Sequence, residues 1–101
     1  MDAVELRRKV LLTLQVALLG MVTPGMRSVL VSWSESQIRA RTIFDEEPTP
    51  DDIEDTSVIE AEVMASFPDH AVVFAAERCP VGKKVEHLNG EAFVFARADP
   101  K

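Results

Sequence analysis

The chain carries one cysteine, Cys79, and only two histidines, His70 and His87. A single thiol excludes an intramolecular disulfide, so nothing suggests an exported scaffold held by cross-links, and the cytoplasm is the expected compartment. Basic residues are missing from a long stretch: between Thr42 and Glu77 there is no Lys or Arg, while that stretch holds eleven of the seventeen Asp and Glu residues. The formal net charge of −6 argues against nucleic acid as a partner, because binding a phosphate backbone needs clustered Lys and Arg that release counterions.

Long apolar runs are scarce too. The longest, Val10 to Val22, is interrupted by Thr13 and Gln15 and falls well short of the roughly 20 residues needed to span a bilayer. Arg7-Arg8-Lys9 in front of it has the order of a signal peptide, but Asp2 and Glu5 spoil the charged region and no small-x-small site follows before Pro24. The segment reads as a buried helix, and no membrane partner is expected. A Gly-rich phosphate loop, HExxH and GxSxG are all missing, so no enzyme is expected either.

What is present is a globular composition, 47% hydrophobic and 28% charged, sized for a single domain over residues 1–101. Leu11, Leu14 and Leu18 recur at helical spacing, which predicts a helix over about 3 to 20 that stops at Gly20. After the Thr23-Pro24-Gly25 turn, Val29, Val31 and Trp33 alternate with Ser28, Leu30 and Ser32. Beyond Ser34-Glu35-Ser36, Ile38, Ala40, Thr42 and Phe44 alternate with Arg39 and Arg41. These two runs predict a hairpin with Trp33 as one of its anchors.

Thr49, Pro50 and Asp52 have the order of a cap, a first helical residue and a reciprocal partner, so a second helix should run to about Phe67, before Pro68. Its expected buried stripe contains Val58, Ala61 and Ala65 with Ile59, Val63, Met64 and Phe67. Residues 70 to 78 and 91 to 97 are the remaining strands. The linker between them is too long for a tight hairpin, so part of 83 to 88 forms an extra strand or an irregular excursion. The fold class is α+β, in the order α-β-β-α-β-β, with a mainly antiparallel sheet and two helices packed on one face.

Function is read from the acidic block. A charge run is commonly a solvated face, but this one also suits an acidic surface that attracts a basic protein partner, with Asp45, Glu46, Glu47, Asp51, Asp52, Glu54 and Asp55 as the candidate contacts. The same carboxylates do not follow the EF-hand spacing and two prolines stiffen their loop, so no metal site is expected. Cys79, His70 and His87 show no zinc-ligand spacing, and Cys79 reads as a small, partly buried residue. No cofactor is implied.

The stretch Ala17-Leu18-Leu19-Gly20-Met21-Val22-Thr23-Pro24-Gly25-Met26-Arg27-Ser28-Val29, with Val31-Ser32-Trp33 and the later Glu60-Ala61-Glu62-Val63-Met64-Ala65-Ser66-Phe67-Pro68, resembles a group of small acidic bacterial proteins. Several of these are similar to immunity proteins of bacterial toxin systems. The resemblance covers most of residues 14 to 70 and implies a protein that neutralises a toxin domain by binding it. It transfers no catalytic or ligand residue. The alternative from another class is a homodimeric structural or regulatory protein, paired through a strand edge near Trp33 or through the apolar first helix.

Overall fold

A computed structural model describes residues 1–98. Helix α1 (Ala3–Ala17) starts where the Asp2 carboxylate accepts a hydrogen bond from the Glu5 N–H at 2.8 Å. It ends in a turn in which Gly20 takes φ 77°, a region open to glycine at no steric cost. Strands β1 (Met26–Trp33) and β2 (Gln37–Phe44) form the expected hairpin, closed by a hydrogen bond from Ser34 N–H to the Gln37 carbonyl at 2.8 Å.

Helix α2 (Pro50–Ser66) has a complete capping box: the Thr49 hydroxyl accepts from the Asp52 N–H at 3.1 Å, and the Asp52 carboxylate accepts from the Thr49 N–H at 2.9 Å. Two of the orphan donors of this helix end, the N–H groups of Thr49 and Asp52, depend on these two side chains. Thr49→Ala should therefore lower stability by about 1 kcal/mol. A shift of the urea midpoint at constant slope is the measurement.

Strands β3 (Ala71–Arg78) and β4 (Ala92–Ala96) complete one sheet of order β3-β2-β1-β4. β1 pairs antiparallel with both β2 and β4, whereas β2 and β3 run parallel. The parallel pair exists because α2 carries the chain from the end of β2 back to the start of β3, which makes a β-α-β crossover. The sheet is thus mixed, with antiparallel pairs in the majority.

Side chains of both helices meet in one core on one face of the sheet: Val10, Leu14, Ala17 and Leu18 from the α1 side, Ile59, Val63 and Phe67 from α2, and Val29, Val31, Ile38, Ala40 and Phe44 from the hairpin. Helix α2 buries only part of the expected stripe: Ile59, Val63 and Phe67 face the core, and the side carrying Val58, Ala61, Met64 and Ala65 does not. Thr56, Ile59 and Val63 are buried, while Val58 and Met64 are about half exposed and Ala61 and Ala65 face solvent. The polar Thr56 is accommodated because its hydroxyl lies 3.1 Å from that of Thr42 and donates to the Asp52 carbonyl at 2.9 Å. A hydrogen-bonded threonine pair can occupy a core position without the cost of an unsatisfied group.

The segment from Cys79 to Glu91 forms no strand; the irregular excursion holds. The topology demands its length. β3 and β4 are the two edges of the sheet, three strand spacings or about 14 Å apart, so the chain must cross the face that the helices leave open. Leu30 and Ile43, which alternate onto that face, are fully buried.

Both edges are guarded. The Phe74 N–H on edge strand β3 donates to a Glu60 carboxylate oxygen of α2 at 2.8 Å, and an irregularity interrupts the pairing of β4 with β1 between Val29 and Leu30. Such devices suppress pairing between sheets of different molecules. Trp33 lies beyond the paired part of β4, half-buried beneath the Arg7 guanidinium, whose carbon sits 5.6 Å from a ring centroid.

Candidate functional site

The seven acidic candidates divide by what their carboxylates already do. Asp45 is bound to Arg97 at 3.0 Å, which ties the loop after β2 to the end of β4. Asp52 is occupied in the capping box. Glu46, Glu47, Asp51 and Glu54 are exposed, Asp55 is half-buried, and among the described residues none of these five has an ion-pair partner.

Helix periodicity organises the free ones. At 3.6 residues per turn, Asp51, Glu54, Asp55, Val58 and Glu62 fall on one side of α2. Acids in the first turn also meet the positive end of the helix dipole, which helps to hold so many like charges together. Val58, 53% exposed, sits in the middle of this row. The result is an outward acidic ladder with one apolar rung. It can offer carboxylates to a cationic surface and exclude water at its centre.

A second charged cluster, on the open face, is internal. Arg41 donates from Nε and Nη2 to the two carboxylate oxygens of Glu91 at 2.8 and 2.7 Å, from Nη1 to Glu77 at 3.0 Å, and from Nη2 to the Glu86 carbonyl at 2.8 Å. Arg27, at the irregularity between Met26 and Ser28, donates to the carbonyls of Cys79, Pro80 and Lys83. These two arginines fasten the excursion to the sheet. The hydrogen bonds from Arg41 hold the Glu91 carboxyl below its ordinary value, against burial, which acts the other way. Beside them, a groove of about 380 Å³ is floored by Val73 and Ala75 and rimmed by Ser32, Arg39 and Leu88.

The sequence offers no direct signal for this clamp, because Arg39 and Arg41 share the outward phase of β2. Only the excursion's path distinguishes Arg41, which is half-buried beneath it, from Arg39, which stays exposed.

The structure keeps the thiol and the His70 imidazole apart. His70 precedes β3 and Cys79 follows it, so roughly 30 Å of extended strand separates them. His70 packs edge-on against Phe67 at 5.2 Å, His87 lies against Phe93 at 4.6 Å, and Cys79 sits half-buried with its sulfur 3.4 Å from the Arg27 guanidinium. Among the described residues no three His, Cys, Asp or Glu side chains converge as metal ligands, and no helix is long and apolar enough to cross a membrane.

Residues 7–99, nearly the whole chain, match a family model described as MafI2 immunity protein. No curated protein matches the chain.

Proposed function

The chain belongs to the MafI2 immunity protein family, and from that premise we propose that it is a non-enzymatic, cytoplasmic immunity protein that binds a basic toxin domain and blocks it through an acidic surface. The observation that carries this reading is the unneutralised ladder on α2, continued by Glu46 and Glu47 in the preceding loop. Asp51, Glu54 and Asp55 are the contacts expected to matter most, with Val58 as the apolar centre they surround. Asp45 and Asp52 keep the loop and the helix start in place and contribute indirectly.

Charge-steered association weakens as salt shortens the Debye length. The tagged protein should therefore retain one basic polypeptide from a lysate of the native cells at low salt and release it as salt rises. Replacing Glu47, Asp51, Glu54 and Asp55 together by Gln and Asn should weaken that binding at least tenfold, because each rim charge lost slows encounter and several act together. None of the four takes part in the capping box, so the fold is expected to survive. Unchanged affinity of the quadruple variant for the recovered partner would move the contact surface elsewhere.

A further inference from the structure

We propose that two copies of this chain associate through the outer face shared by α1 and α2, about a two-fold axis at Leu12. The inference goes beyond the toxin-binding reading and does not depend on it. It begins with an apolar stripe that the fold leaves uncovered: Leu12 and Val16, one turn apart on α1, are 57% and 54% exposed, and Leu19, in the turn that follows the helix, is 76% exposed. Their helix is already packed through its opposite side, through Val10, Leu14 and Ala17. A groove of about 250 Å³ between the helices is lined by Leu12, Val16, Glu62 and Ser66.

The charges around this stripe identify the occupant as a second copy. Along α1, Arg8 and Lys9 lie just before Leu12, and Val16 lies just after it beside Glu62. The helices are antiparallel here, since the Lys9 ammonium sits 4.5 Å from the Phe67 ring at the end of α2 while Val16 reaches back to Glu62. Leu12 therefore has cations on one side and a carboxylate on the other. A two-fold axis through Leu12 exchanges those sides: Arg8 comes opposite the partner's Val16, Lys9 lies beside it on the side of the partner's Glu62, and the two Leu12 side chains meet at the centre. An isologous contact requires exactly this kind of self-complementarity. The Lys9 stem can cover Val16 while its ammonium pairs with the carboxylate, and Glu62 has no ion-pair partner within its own chain among the described residues.

The guarded edges of the sheet disfavour pairing through the strands. The face shared by α1 and α2 also leaves Asp51, Glu54 and Asp55, more than a turn further along α2, outside the contact.

Sedimentation equilibrium of the purified protein tests the proposal. The wild type should form a species of twice 11.2 kDa. Leu12→Asp should abolish it with unchanged circular dichroism, because Leu12 is mostly in solvent within one copy. Lys9→Glu and Glu62→Lys should each weaken the dimer by about tenfold or more, and the double exchange should restore it to within about threefold of wild type. A wild type that remains monomeric at about 1 mM overturns the proposal, since specific association is stronger than that. So does a dimer indifferent to Leu12→Asp, or a double exchange that restores nothing.

Discussion

Arg41→Met should destabilise the protein by about 3 kcal/mol and make the segment from Cys79 to Glu91 sensitive to protease while the helical side of the core persists. Glu91 is almost fully buried, with 5% of its side chain exposed, and Arg41 supplies two of its hydrogen bonds. Removing the cation leaves a buried carboxylate with only the Leu88 N–H, at 2.8 Å. Breaking a buried pair from one side costs about 3–5 kcal/mol, and the lower end applies because Arg41 retains some exposure and Glu77 more. That is a large share of the roughly 5–15 kcal/mol available to a domain of this size. Urea denaturation and limited proteolysis are the measurements. A second substitution, Glu91→Leu, should recover a good part of the loss, because the cost lies in the unpaired charge.

The same pair has a pH signature of definite sign. The Arg41 hydrogen bonds depress the folded-state pKa of Glu91 below the ordinary 4.5, so its contribution to stability is complete above that value and is lost as pH falls through the folded pKa. In Arg41→Met the dominant influence left is burial, which raises the carboxyl pKa. The variant's deficit should therefore shrink on mild acidification, just where the wild type is still holding its clamp. A deficit that stays constant from pH 7 to about pH 4 would assign the loss to packing and not to the charge.

The second large effect separates adjacent residues. Ile59→Ala should cost about 2–5 kcal/mol, whereas Val58→Ala should fall within about 0.5 kcal/mol, as measured by chemical denaturation. Ile59 is fully buried between α2 and the sheet, and truncating it removes contacts and leaves a cavity. Val58 is half in solvent on the acidic side of the helix. If Val58→Ala proved as damaging as Ile59→Ala, the rotation of α2 described above would be wrong, and with it the grouping of Asp51, Glu54 and Asp55 into one ladder.

This pair also marks where pattern reading stops. Val58, Ile59, Ala61, Val63, Met64, Ala65 and Phe67 leave little polar contrast around α2, so hydrophobicity cannot say which side turns inward. Thr56 shares the inward side with Ile59, Val63 and Phe67, and a polar residue is tolerated there because Thr42 stands opposite it with a matching hydroxyl. Where local chemistry is sufficient, the reading succeeds. The Thr49 and Asp52 box, Pro50 and Pro68 bracket the second helix from its own neighbours, and alternation through Met26 to Phe44 defines the hairpin and its faces.

The candidate contacts divide in the same way. Composition alone locates an acidic block free of Lys and Arg. Which carboxylates remain unengaged depends on partners distant in sequence, as Arg97 is for Asp45, or on a helix cap, as for Asp52. The apolar first helix already stands out as a pairing surface, but that Leu12, Val16 and Leu19 are its exposed residues emerges only once the core is seen to be filled by Val10, Leu14 and Ala17.

By itself the sequence determined the element order, the α+β class, the capped start of α2 and the separation of acidic from basic residues, since each follows from propensity, periodicity or count within a short window. The tertiary structure decided the strand order, the parallel pairing of β2 with β3, the path of the excursion over Arg27 and Arg41, and which apolar and acidic side chains remain outside. Those features rest on contacts between residues tens of positions apart, and such contacts are selected by competition for one shared core and one open sheet face, which no local window contains.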